Sequence, residues 1–154
     1  MNNEKLNIEN TETIDSIAYE KDRKILLMLI SDGMDWSDIN RHMYLLQSKI
    51  NSYLRYIDTK QYLEYIEQVR EKYRLDELPK VNTIEIRIGF LFKEPQICNE
   101  FIEKVVKRKI AELFNNIEII VQHGAKEYTS KETVNTENNN FMNKTEEIKI
   151  IENN

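Results

Sequence analysis

An α+β fold is the class this sequence predicts: a two-layer sandwich with a mainly antiparallel four-stranded sheet and helices on one face. Three observations carry it. Residues 83–93 (TIEIRIGFLFK) alternate, with Ile84, Ile86, Ile88, Phe90 and Phe92 on one side and Glu85 and Arg87 on the other, the period of a half-buried strand. Residues 25–30 are apolar at every position, as in a strand buried on both faces. Directly after it, Ile39, Met43, Leu46, Ile50, Tyr53, Leu54 and Ile57 recur at spacings of three and four, one apolar stripe of a long helix.

In order along the chain, residues 1–12 read as a flexible leader, polar and acidic rather than a signal peptide. Residues 14–19 (IDSIAY) read as a first strand, EKDR as a hairpin turn, and residues 24–31 as the second strand. The turn DGMDW follows. Asp35 or Ser37 can cap the long helix, and Asp38 adds negative charge at the positive end of its dipole. Trp36 is expected largely buried under the helix start. Asp58 and Thr59 interrupt the helix, with Thr59 capping a second one whose stripe is Tyr62, Leu63, Ile66, Val69 and Tyr73. Pro79 excludes helical backbone at its predecessor, which ends that run. After the alternating strand, Pro95 precedes a third helix over 97–114, with Phe101, Ile102, Val105, Val106, Ile110, Leu113 and Phe114 as a broad apolar face. Residues 117–122 (IEIIVQ) form the last strand, with Ile117, Ile119 and Val121 inward, and Gly124 marks the domain end. One domain over 13–124 is expected. Residues 125–154 are rich in Lys, Glu, Thr and Asn and read as a disordered polar tail, with Ile148, Ile150 and Ile151 its only apolar concentration near the end.

The formal net charge is −5, which disfavours nonspecific nucleic-acid binding and binding to anionic membranes. The single cysteine, Cys98, excludes an internal disulfide framework and suits a reducing compartment. No apolar run approaches the roughly 20 residues of a membrane helix. A cytoplasmic protein is expected.

The segments IDSIAYE, LLMLISDGMDW and LLQSKINSYLRYID, followed by a strand–helix–strand ending, resemble a family of small bacterial domains of unknown function. The shared pieces are D-x-x-D-W and L-L-Q-x-K-I-N-x-Y-L, and the match covers roughly residues 13 to 122. The resemblance implies the α+β fold and no particular activity.

The residues that could carry chemistry are few. Asp32, Asp35 and Asp38 recur at three-residue spacing, but calcium loops of the EF-hand kind need alternating ligands and a closing Glu, so turn and cap roles explain them. His42 could act as acid or base but shows no acidic or nucleophilic partner in sequence, and reads as a surface or boundary histidine. Cys98 precedes an apolar face and reads as a buried, inert thiol. The run Lys104 to Lys109 is basic but lacks interleaved aromatics, and reads as a solvated face. No glycine-rich phosphate loop and no zinc-spaced Cys or His pair occurs. No catalytic residue, metal ligand or cofactor is assigned.

The favoured function is therefore a non-enzymatic protein-interaction domain, an adaptor or an immunity- or antitoxin-type binder, with a protein partner or a second copy and neither nucleic acid nor membrane. The alternative is a small enzyme or ligand-binding domain using the Asp32–Trp36 turn and the adjacent helix face. Candidate interaction residues are Asp32, Asp35, Trp36, His42, Tyr44, Gln47 and Asn51 around that turn. Leu26, Met28 and Ile30 join them: only one face of the second strand can meet the helices, so an apolar strip is expected on the other, open to a dimer or partner.

Overall fold

A computed structural model of the chain describes residues 8–125 and 149–151. Strands β1 (Ser16–Glu20) and β2 (Ile25–Asp32) form a hairpin. Its turn holds Lys24 in the left-handed region at φ 59°, and Arg23 grips Glu20 through two hydrogen bonds of 2.6 and 2.7 Å. Helices α1 (Ile39–Asp58) and α2 (Tyr62–Lys72) lead to β3 (Thr83–Phe90). Next come α3 (Gln96–Glu100), a π-helical stretch (Phe101–Val106) and α4 (Lys107–Leu113), which follow one another without a break. Strand β4 (Glu118–Ala125) follows, and β5 (Lys149–Ile151) adds to the far edge.

The strand order is β4-β3-β2-β1-β5. Only β1 and β2 are antiparallel; β2 with β3, β3 with β4 and β1 with β5 are parallel. The sheet is thus mixed, which corrects the mainly antiparallel expectation. The reason is connectivity: β2 and β3 are adjacent, as are β3 and β4, and each pair is joined through helical segments that carry the chain back to the starting end.

Register places Ile17 and Tyr19, then Leu26, Met28, Ile30 and Asp32, then Ile84, Ile86, Ile88 and Phe90, then Ile119, Val121 and His123 on one face. The apolar members of that set belong to one core cluster with Leu46, Ile50, Tyr53, Leu54 and Ile57 of α1, Tyr65, Ile66 and Val69 of α2, and Ile102, Val106 and Ile110 further on. Leu26, Met28 and Ile30 are therefore core, at 0% exposure, rather than an open strip. The opposite set is buried as well: Ala18, Ile25 and Leu27 form a second small cluster, and Leu29 is buried beside them.

Helix α1 starts on Asp38, not Asp35 or Ser37: the Asp38 carboxylate accepts from the Arg41 backbone N–H at 3.2 Å. Its buried stripe is His42, Leu46, Lys49, Ile50, Tyr53, Leu54 and Ile57, while Ile39 is exposed. Thr59 closes α1, its N–H and hydroxyl both donating to the Arg55 carbonyl, and does not cap α2. In α2, Tyr65 is buried, whereas Leu63 and Tyr73 lie at the surface. In the third helical segment Cys98, Ile102, Val106 and Ile110 are buried at intervals of four, and Val105 and Leu113 are exposed. Four residues advance about 400° in an α-helix, so such a row drifts by about 40° per step. The π turn, closed by Lys107 N–H to the Ile102 carbonyl, advances less per residue and keeps the row facing the sheet. Strand β3 ends at Phe90, so Phe92 is exposed rather than inward.

At the N-terminal side, residues 8–12 do not behave as a loose leader: Ile8 is fully buried in the core. At the other end, Lys149–Ile151 pairs with β1 at Ala18, Tyr19 and Glu20. Residues 1–7, 126–148 and 152–154 of the expected leader and tail, Ile148 among them, lie outside the described residues.

Candidate functional site

Parallel strands send their carboxyl ends to one edge, and loops there are where sheets of this kind carry ligands. The turn DGMDW sits at that edge. Asp32 ends β2 on the helix-facing side, and its Oδ1 accepts from the Met34 N–H at 3.1 Å. Its Oδ2 lies 2.6 Å from His42 Nε2, and both side chains are at 0% exposure. His42 Nδ1 faces the Asp35 carbonyl at 2.9 Å. A carbonyl only accepts, so Nδ1 carries a proton and Nε2 shares one proton with Asp32. Burial raises the Asp32 carboxyl above its ordinary value, with the His42 contact opposing that shift. The half-buried Trp36 ring stacks on the imidazole, with centroids 3.5 Å apart and planes at 11°, and its Nε1–H donates to the Phe92 carbonyl at 3.1 Å. Asp35 stays outside, accepting from the Ser37 N–H and hydroxyl, which lower its pKa. His42 is thus not a surface histidine. It ties the end of β2 to the first turn of α1.

A second polar cage lies about two helical turns along α1. Lys49 Nζ donates to Asp15 Oδ1 at 2.7 Å and to the Asn10 carbonyl at 2.6 Å, with both ionic side chains at 0% exposure. Asp15 Oδ2 accepts from the Ser31 N–H at 2.8 Å. The Tyr53 hydroxyl donates to the Leu29 carbonyl and accepts from the Asp15 N–H at 2.8 Å. Burial raises the Asp15 carboxyl, against the lowering effect of Lys49 and Ser31. Lys49 and Tyr53 belong to the segment L-L-Q-x-K-I-N-x-Y-L, whose charged and phenolic members latch α1 to the start of β1 and to β2.

The third cluster brings in His123 of β4. Its Nδ1 meets Glu94 Oε2 at 2.7 Å and its Nε2 meets Glu103 Oε2 at 3.1 Å, Glu103 also accepting from Lys107 at 2.9 Å. Glu94 is buried, and its second oxygen has no hydrogen-bond partner among the described residues. Cys98 is fully buried; its thiol is pushed up to about 12 by burial and by the charges of Glu94 and Asp32. A thiol held protonated is a poor nucleophile. Among the described residues no group of three or more His, Cys, Asp or Glu is placed to hold a metal ion.

The remaining expected site residues point outward. Tyr44 is 68% exposed, and Gln47 and Asn51 follow it on the same face of α1. Gln47, Asn51, Ile50 and Leu54 form one wall of a small groove of about 70 Å³, with Phe101, Val105, Val106 and Lys109 of the third helical segment opposite. The structure therefore separates the candidates: Asp32, Trp36 and His42 come together in a closed turn, Tyr44, Gln47 and Asn51 line an open face, and Leu26, Met28 and Ile30 are core. Lys49, Asp15, Glu94 and His123 had no sequence signal of partnership.

Mixed sheet, helical crossovers and closed polar cages define a small α+β domain whose ionisable pairs act as internal fasteners. The family model that matches it, a family of unknown function (DUF6572), covers residues 6–123, and the chain belongs to that family. The comparison with curated proteins gave no match, and neither did the comparison with solved structures. No helix among the described residues is long and apolar enough to cross a membrane.

Proposed function

We propose that the chain is a protein-interaction domain, of the adaptor or immunity and antitoxin kind, that binds a basic protein through the outer face of α1. The observation that carries this reading is Tyr44, a large aromatic side chain 68% exposed on a row with Gln47 and Asn51 and beside the groove toward Val105 and Lys109. Tyrosines in such settings supply much of the energy of protein interfaces. The chemistry-bearing residues support it from the other side, since Asp32, His42, Asp15 and Lys49 spend their hydrogen bonds inside the fold. The net charge of −5 complements a basic partner and speeds its encounter. In this reading the helices form one layer over one face of the sheet, supported by the larger core cluster that joins them to it, and the opposite side of α1 is left for the partner. A cytoplasmic location fits the lone free thiol.

The experiment is affinity capture from the native host with wild type, Tyr44→Ser and the double variant Tyr44→Ser with Gln47→Ala. The expected result is a protein of basic isoelectric point retained by wild type and lost with the variants, while circular dichroism stays unchanged. Retention of the same protein by folded double variant would overturn the α1 assignment.

A further inference from the structure

Strand β4 ends the sheet: β3 pairs with it along one side, and among the described strands none pairs with the other. Exposed edges of this length are normally blunted by lysine, proline or a bulge. Residues 118–125 (EIIVQHGA) contain neither lysine nor proline, and their register with β3 runs unbroken over eight pairs. Ile119 and Ile120 are only half-buried. Against this edge lies a cavity of about 200 Å³ lined by Lys107 and Ile110 of α4 and by Ile119, Ile120 and Val121. An unblunted apolar edge beside an apolar cavity is shaped to receive another strand.

We propose that the occupant is β4 of a second copy of this chain, paired antiparallel about a two-fold axis at Ile120. The sequence of the strand selects that register. A two-fold axis through the sheet keeps each face continuous, so opposed residues must share a face, and the axis must fall on a residue. Centred on Ile120, Ile120 faces itself, Ile119 faces Val121, and Glu118 faces Gln122, whose amide can donate to the carboxylate. Over residues 118–122 every apolar residue then meets an apolar one, and no like charges oppose each other. Centred on Ile119, Glu118 would face Ile120. Centred on Val121, Ile120 would face Gln122 and Ile119 would face His123. The two sheets join into one, both open β4 edges disappear, and the cavities beside them are closed by the second copy's Ile119 and Val121. This surface is separate from the outer face of α1, so a failure of either reading leaves the other standing.

The test uses the full chain. Sedimentation velocity over a concentration series is expected to show a mass twice that of the monomer, and Ile120→Lys, which places a charge on the axis, is expected to give a monomer with unchanged circular dichroism. The register is read separately with cysteines. Opposed Cα atoms in antiparallel pairs lie about 4.5–5.5 Å apart, within disulfide range. Ile120→Cys is therefore expected to form an intermolecular disulfide rapidly under mild oxidation. Gln122→Cys faces residue 118, so two such cysteines stand roughly 13 Å apart at a rise of about 3.3 Å per residue, and cross-link slowly. The cysteine readout decides the matter if the lysine variant fails to fold. A monomer at every concentration, equal cross-linking of the two cysteine variants, or assemblies larger than two copies would each overturn the proposal.

Discussion

Replacing Lys49 with methionine strips the buried Asp15 carboxylate of its counter-ion while keeping the volume of the aliphatic stem. Both side chains of the pair are at 0% exposure, so solvent cannot substitute for the missing ammonium. Removing one partner of such a pair costs about 3–5 kcal/mol, a large part of the ~5–15 kcal/mol that holds a typical domain together. The Asn10 carbonyl also loses the Lys49 donor and keeps the Thr13 N–H. The assay is urea unfolding followed by far-ultraviolet circular dichroism at pH 7 and pH 5, with midpoint and slope compared to wild type. The pH dependence has a definite sign. Burial already raises the Asp15 carboxyl above its ordinary 3.8, even with Lys49 opposing it. Without Lys49 it rises further, so the folded variant prefers the neutral carboxyl. The stability of the variant is then fullest at pH values below the unfolded pKa and falls as pH rises through the folded one. The gap to wild type should accordingly narrow between pH 7 and pH 5. Combining Lys49→Met with Asp15→Asn should cost less than the sum of the single changes, by about 1–3 kcal/mol. A Lys49→Met cost below about 1 kcal/mol, a gap that ignores pH, or additive single changes would refute the account of Lys49 as the compensating charge of a closed cage.

Cys98 should resist alkylation at pH 8.5 in the folded protein and react promptly in urea; its thiol, moved from 9.0 to about 12, contributes stability that is intact below pH 9 and lost between pH 9 and 12. Fast labelling of the native protein would show the site to be open. His42→Leu should destabilise by about 3–5 kcal/mol, because Asp32 is left buried without its proton-sharing partner, and the loss should shrink when Asp32→Asn is added; equilibrium unfolding of the three variants checks it. Trp36→Ala removes the stack on His42 and the bond to the Phe92 carbonyl but vacates a half-buried site, so a cost of about 2–3 kcal/mol is expected, under the ~3–5 of a fully buried aromatic. An unfolded Trp36→Ala chain would mean that the turn is core.

Much of the fold could be read from residue pattern. The apolar run of β2 is buried on both faces, the alternation of β3 sets which side meets the core, and from Leu46 onward the apolar stripe of α1 lies where its spacing puts it. The parallel direction of β3 and β4 departs from the antiparallel expectation although the sequence carries the signal, since strands joined through helices pair in parallel when they are neighbours. The misplacement of His42 and Lys49 has a different origin. Positions 42, 46, 49, 50, 53, 54 and 57 make a broader stripe than one beginning at Ile39, widened on the side of His42 and Lys49, and a histidine and a lysine there read as surface by residue type. Their acceptors, Asp32 and Asp15, sit on other elements, and only the fold brings them within reach. The His123 cluster was unreadable for the same reason: Glu94 lies 29 residues away in the chain. Asp38 took the cap from Asp35 because Asp35 is engaged with Ser37, a local competition that composition does not rank.

The mixed sheet also sets the order in which this chain can fold. The hairpin closes between Glu20 and Ile25, and Asp32 finds His42 only ten residues away, so β1, β2 and the start of α1 can assemble with little loop entropy to overcome. Pairing of Ile25 with Thr83 needs both intervening helices in place first, and Thr83 with Glu118 waits on the third. Long-range parallel pairing is slow, so the transition state should contain the hairpin and α1 with β3 and β4 still unpaired. Substitutions such as Met28→Ala would then slow folding, whereas Val121→Ala would mainly speed unfolding; equal effects on both arms of the chevron at Val121 would contradict that order. On the ribosome the same sequence of events leaves the bare edge of β3 waiting for β4, which makes β4 the element that completes the parallel β2-β3-β4 part of the sheet.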